Sequence, residues 1–396
     1  MKRVAVFLAL FSLLALSCNT VLTPSPLPPE SPIPPAAEQS LEAEPTEPQA
    51  ATAETDIEPT AATEQGATLE PAASTATVEP SLPAQNLTAE PSLPAPTGVL
   101  NPNPPEKPVK LIFIHHSSGG NWLADPAENG SGGDLGRALM ENNYFVSATN
   151  YGWGPDGIGD RTDIGNWREW FRSDNSAAYL QALYGESGTN FGDFGSWPRL
   201  AADPGGENEI VVFKSCFPNS ALGGKPDDPP QAGENPLQSQ DSSSEAHTVA
   251  NAKGIYVGLL DYFAAHPDKL FVVITAPPLY AADTSSKRAA NARAFNRWLV
   301  EDWLKDYSRA NVAVFDFYNV LTSNGGKIET NDLGRPGGNH HRFRDGSIEY
   351  IVDQGGNTSA YAVKGDSHPN AAGNQKATGE FVPLLNIFYH RWRESR

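Results

Sequence analysis

The residues of this chain best suited to chemistry stand at two places far apart in the sequence. Near the front, an apolar run ends in Ile114-His115-His116-Ser117-Ser118-Gly119-Gly120. A serine at the carboxyl end of a strand, followed by glycines that let neighbouring backbone come close, is placed as a nucleophile is placed. Near the far end stands Lys364-Gly365-Asp366-Ser367-His368-Pro369-Asn370, directly before a helical pattern. A histidine fixed between a turn and a helix, with an aspartate two residues earlier, has the parts of a general base and its orienting acid. Together they point to acyl transfer with Ser117 as nucleophile and Ser118 as its alternative. Asp366 has a second reading as a turn cap, which leaves the acid to Asp353 or Asp345, or to none.

Such residues need a scaffold that brings residue 117 to residue 368. From Val109 onward, short apolar runs alternate with longer segments of helical period, the pattern of a parallel α/β sheet. The runs Lys110–His115, Tyr144–Thr149, Glu209–Lys214, Leu270–Thr275 and Val312–Phe317 predict five parallel strands. Glu245–His266, Ser285–Tyr307 and Ala371–Arg391 carry apolar residues on one face and predict amphipathic helices, the last closing the domain. The Gly- and Pro-rich stretches Asp156–Gly165, Ala221–Ser244 and Thr322–Ala360 predict loops, which in open α/β sheets gather ligands at the carboxyl ends of strands.

The two chemistry-bearing segments resemble the first and last motif blocks of the SGNH (GDSL-like) hydrolases, and the resemblance extends across most of residues 109–390. Val146-Ser147-Ala148-Thr149-Asn150-Tyr151-Gly152-Trp153-Gly154 is similar to the second block, and Ile210 to Asn219 stands where the third belongs. Phe271-Val272-Val273-Ile274-Thr275-Ala276-Pro277-Pro278-Leu279 resembles the family's fourth strand with its Pro-Pro ending. The resemblance implies a three-layer α/β/α, flavodoxin-like domain. It also implies a catalytic set of Ser117, His368 and Asp366, and an oxyanion hole formed by the N–H groups of Ser117 and Gly154 with the Asn219 amide. That chemistry needs no metal or organic cofactor. The sequence departs from the family in three places. His115-His116-Ser117 replaces Gly-Asp-Ser, the acid precedes the histidine by two residues rather than three, and Phe217-Pro218-Asn219-Ser220 replaces Gly-x-Asn-Asp.

Other chemistry-capable residues have plainer readings. Cys216 invites a cysteine–histidine pairing, yet a lone cysteine at a strand end reads as packing. His115-His116 and His340-His341 are adjacent pairs, which point apart on a strand and lack metal-ligand spacing. Trp122, Trp153, Trp167, Trp170 and Trp197 could form a platform for sugar rings or belong to the core.

The front of the chain has a separate logic. Lys2 and Arg3 precede an apolar run from Val4 to Leu16 and then Ser17 and Cys18, the three-part layout of an export signal. The run is too short for a permanent span, which takes ~20 residues. Ala15-Leu16-Ser17-Cys18 resembles the lipobox of bacterial lipoproteins, implying cleavage before Cys18 and its acylation. Residues 19–108 hold 13 of the chain's 47 acidic residues and no basic one before Lys107, and are rich in Pro, Ala and Thr. Such a segment buries too little apolar surface to offset its ordering entropy and is expected to be a disordered tether, its contour approaching ~270 Å. The formal charge of −19 and the lack of a basic stripe disfavour nucleic acid as a partner. With two cysteines in all, one assigned to lipid, no disulfide framework is available, so residues 109–396 must be stable through one core. The expected protein is a lipid-anchored, extracytoplasmic ester hydrolase, its substrate an acyl group such as acetyl on a carbohydrate. The rival expectation is a surface binding module that kept the fold and lost the chemistry.

Overall fold

The computed structural model describes residues 99–322, 338–352, 356–362 and 365–396. The expectations for the export signal, for Cys18, for residues 19–98 and for Asp353 lie outside these residues. Five strands, β1 (Val109–Ile114), β2 (Tyr144–Thr149), β3 (Ile210–Lys214), β4 (Leu270–Ile274) and β5 (Val312–Phe315), form one sheet in the order β2-β1-β3-β4-β5 with every pairing parallel. This is the flavodoxin-like order. Every residue of these five strands is buried, on both faces of the sheet, which is why the strands read in sequence as continuous apolar runs rather than alternating ones.

Alternation along the strands divides the core. Leu111 and Phe113 of β1 face one layer, made of α1 (Ser117–Leu123), α2 (Leu135–Glu141), α8 (Phe317–Leu321) and α9 (Ala371–Glu394). Ile112 and Ile114 face the other, made of α3 (Trp167–Arg172), α4 (Ser176–Gly185), α5 (Val249–Val257), α6 (Leu260–Ala265) and α7 (Ser286–Glu301). The result is a three-layer α/β/α fold with an apolar core on each side of the sheet.

Three expectations need correction. The single helix expected over Glu245–His266 is two helices, α5 and α6, separated at Gly258 and Leu259. Glycine has low helix propensity, and it stands where the turn is made. The stretch Thr322–Ala360 is not loop throughout, because β6 (His340–Arg344) and β7 (Ser347–Ile351) pair as an antiparallel hairpin across Asp345-Gly346, both at positive φ. Its residues are mostly polar, so periodicity did not reveal it. The tether expected to reach Pro108 does not extend that far. Leu100 packs on the core, Asn386 of α9 donates to the Pro102 carbonyl at 2.8 Å, and Asn143 donates to that of Pro105 at 2.8 Å. Among the described residues no helix is long and apolar enough to cross a membrane.

Candidate active site

The carboxyl ends of β1 to β4 lie at one edge of the sheet, and the expected residues gather there. β1 passes through extended His116 (φ −119°, ψ −155°) and turns at once into α1, with Ser117 at its first position. The turn is tight enough that a methyl group on Gly119 would lie 2.4 Å from His115 Cβ, so glycine is required there.

Ser117 donates its hydroxyl proton to His368 Nε2 at 2.7 Å, and His368 donates from Nδ1 to Asp366 Oδ1 at 2.7 Å. The donor roles follow from chemistry, since a carboxylate beside Nδ1 fixes the proton there and leaves Nε2 to accept. The two readings of Asp366 prove compatible, because the same Oδ1 also accepts the His368 backbone N–H at 2.9 Å. The carboxylate folds the chain back on itself and thereby brings a histidine only two residues away onto it. Partial burial pushes the Asp366 carboxyl up, but the His368 N–H and ring outweigh this and hold it below its ordinary value. Asp345 stands in the β6–β7 turn, exposed and paired with Arg344.

The histidine loop is fixed on both sides. Ser367 donates to Asp283 at 2.6 Å and accepts the Tyr280 N–H at 3.0 Å, tying the loop to the segment after the Pro277-Pro278 end of β4. Asn370 caps α9 by accepting the Gly373 N–H at 3.0 Å. The Phe217 ring meets the His368 ring edge-on, 4.7 Å between centroids.

Ser118, the alternative nucleophile, is fully buried with its hydroxyl on Cys216 Sγ at 2.9 Å, and Ser117 is the serine that meets His368. The Cys216 sulfur also lies 3.5 Å from Ser117 Oγ, and Cys216 as a residue is partly exposed.

The expected oxyanion donors fare differently. Ser117 brings its backbone N–H at the first helical position, where no earlier turn supplies an acceptor. Gly154 holds φ 78° at the start of a short 3-10 turn, Pro155–Asp160, and its carbonyl accepts from Gly157. The Asn219 amide, however, is already committed. Its Nδ2 donates to Asp163 Oδ1 at 2.5 Å and to the Cys216 carbonyl at 3.3 Å, while its Oδ1 accepts the Ile164 N–H at 2.9 Å. At 1% exposure a carboxamide must find such partners, and it finds them in the Asp163 loop rather than at Ser117. From the same segment as Gly154, Tyr151 meets Ser117, with its hydroxyl beside both the Ser117 side chain and the Ser117 N–H. Its ring stacks on His116 at 3.9 Å. Sequence reasoning passed over Tyr151 and Asp163; an aromatic residue directly after β2, at the sheet's carboxyl edge, was the available signal for the first.

The paired histidines are held individually. His116 donates from Nε2 to the Gly159 carbonyl at 2.6 Å and accepts from Thr162 at 3.0 Å. His115 lies wholly inside, where burial holds its imidazole down at about 3 and so neutral. His340 meets Glu380 at 3.1 Å, and His341 accepts the Asp316 N–H at 2.9 Å. No three His, Cys, Asp or Glu side chains converge into a metal-binding group among the described residues. Trp122, Trp167, Trp170 and Trp197 are core residues, while the partly buried Trp153 stacks on Trp170 and donates to Glu186. Among the described residues the exposed aromatics are Tyr151 and Phe191. Tyr151 lines an open hollow of about 280 Å³ with Asn150, Trp153 and Asn190, and a second hollow of about 480 Å³ opens at Asp283 and Arg288 beyond the histidine loop.

No family model matches the chain, and no curated protein matches it. One solved structure aligns with 70% of this chain and 96% of its own length at 14% identity and a TM-score of 0.32, a likeness too low to argue from. The functional reading therefore rests on the geometry.

Proposed function

We propose that the chain is a serine hydrolase of esters, of the SGNH (GDSL-like) type, acting outside the cytoplasm from a lipid anchor at Cys18. The observation that carries the reading is the unbroken relay Asp366 Oδ1, His368 Nδ1, His368 Nε2, Ser117 Oγ, with both links at 2.7 Å. Three residues joined in this order from positions 251 apart are what nucleophilic acyl transfer needs. In the mechanism Ser117 Oγ attacks the ester carbonyl as His368 takes its proton, and the Asp366 carboxylate steadies the imidazolium that forms. His368 then returns the proton to the leaving alcohol, and water repeats the sequence to free the acid. The Ser117 N–H, beside which the Tyr151 hydroxyl stands, is the donor proposed for the developing oxyanion once substrate displaces that hydroxyl, and removing one such donor typically costs on the order of 10²–10³ in rate. The small open hollow at Tyr151 suits a short acyl group on a larger polar alcohol, and acetylated carbohydrate is the substrate class proposed.

The test is hydrolysis of p-nitrophenyl acetate by the full chain, with Ser117→Ala and His368→Ala as controls. Equal rates in all three proteins would sink the catalytic reading and leave the binding-module rival. Acylation of Cys18 is tested separately by incorporation of radiolabelled palmitate, expected in the wild type and lost in Cys18→Ser.

A further inference from the structure

We propose that Cys216 and the Lys214 ammonium beneath it form a hydroperoxide-reactive thiol site, and that oxidising the sulfur disarms Ser117. The disarming half rests on the esterase reading; the reactive thiol does not. Lys214 and Cys216 are two residues apart at the extended carboxyl end of β3, so their side chains leave on the same side. Lys214 is 1% exposed and its Nζ has no hydrogen-bond partner among the described residues. A buried ammonium without a counter-charge is costly, and the group that acts on it electrostatically is Cys216.

The charges favour a thiolate. Burial pushes the Cys216 thiol up, but Lys214 and the Ser118 hydroxyl and N–H outweigh it and hold the thiol below its ordinary value. Burial pushes Lys214 down, and Cys216 draws it partly back. The other titratable groups around this floor are His115 and His116 at the end of β1, both held down by burial, Tyr151 after β2, and His368, which reaches it through Phe217. A cysteine whose thiol is held down beside a buried lysine, in a residue that is itself partly exposed, has the setting of a reactive thiol.

The position of the sulfur gives oxidation its effect. Ser117 has one hydroxyl proton, which it donates to His368 Nε2 while Cys216 Sγ waits 3.5 Å away. In the proposed step the thiolate attacks the terminal oxygen of a hydroperoxide. The S–O bond forms, the O–O bond breaks, and the alkoxide or hydroxide that leaves takes a proton from water. Sulfur is oxidised by two electrons to the sulfenic acid and the peroxide is reduced to alcohol or water. The added oxygen is a better acceptor than sulfur and stands against Ser117, so it draws the hydroxyl away from His368. Two equivalents of an external thiol reverse the change, releasing water and a disulfide.

The experiment uses the full chain carrying Cys18→Ser, which leaves Cys216 as its one cysteine. Hydrogen peroxide followed by dimedone is expected to give one adduct by mass, formed at least tenfold faster in the native protein than in the same chain in urea. Ester hydrolysis and fluorophosphonate labelling of Ser117 are expected to fall at least tenfold on oxidation and to return with dithiothreitol. Lys214→Met is expected to slow adduct formation at least tenfold, and Cys216→Ser to be indifferent to peroxide whatever its own rate. Adduct formation no faster than in urea overturns the proposal, and so does an oxidised protein that labels at Ser117 undiminished. A reduced wild type that neither turns over nor labels sinks the esterase reading instead, and the native-to-urea rate ratio then decides the thiol site alone.

Discussion

His368 with Asp366 and His340 with Glu380 are chemically the same pair, an imidazole Nδ1 against a carboxylate oxygen, at 2.7 and 3.1 Å. Their surroundings differ. The first pair keeps side-chain exposures of 25% and 47% and has a serine hydroxyl on the far side of its ring, whereas the second is sealed at 0% and 1% between β6 and α9. A histidine–carboxylate contact is thus not a site in itself. What makes one is access for a substrate and a group whose proton the ring can take. The sealed pair does mechanical work, holding the β6–β7 hairpin to the closing helix.

Removing the serine or the base tests the open pair most severely. Ser117→Ala or His368→Ala is expected to lower kcat for p-nitrophenyl acetate by on the order of 10⁴–10⁶ without lowering the melting temperature, as followed by steady-state kinetics and calorimetry. Asp366→Asn retains an oxygen for the His368 backbone N–H and loses only the charge, so its expected loss is smaller, on the order of 10²–10⁴.

The sealed pair should respond the other way round. Glu380→Ala leaves a buried imidazole without its carboxylate partner and is expected to cost about 1–3 kcal/mol of stability in urea titration, with turnover per folded molecule unchanged. A loss of turnover as large as that of Asp366→Asn would break the distinction between the two pairs.

A fourth expectation concerns acid. Burial holds His115 at about 3 and His247 and His341 at about 4, against an ordinary 6.5. As pH falls below 6.5 the unfolded chain takes up these protons before the folded one does. Stability is therefore full above pH 6.5 and declines as pH falls toward 4. The Asp366 carboxyl, depressed in the folded state, contributes stability above its ordinary value of about 3.9 and loses it only below, so it is silent in that window. Melting temperatures between pH 8 and pH 4 check this, and His341→Asn should flatten the profile.

The parallel sheet was legible because strands buried on both faces leave an apolar run that no surface requirement interrupts. The hairpin of β6 and β7 was not, since His340, His341 and Arg342 are buried by pairing with partners that sequence spacing does not reveal, such as Arg342 with Glu349. Ser117, His368 and Asp366 were legible as residue types at the ends of elements, and the structure brings them into contact. Asn219 was read by position alone, and position could not show that Asp163, 56 residues earlier, takes its amide. Cys216 was read as packing because nothing in the sequence sets its sulfur under a serine 99 residues away.

The separation of 251 residues between Ser117 and His368 has a consequence for how the protein is born. Synthesis delivers Ser117 long before His368, and the loop that carries His368 is held by the segment after β4 and by the cap of the last helix. A growing, stalled or truncated chain therefore holds a serine with nothing to take its proton. On the esterase reading, competence arrives in one step with the completed domain, so that appearance of activity during refolding becomes a direct clock for closure of α9 over the sheet.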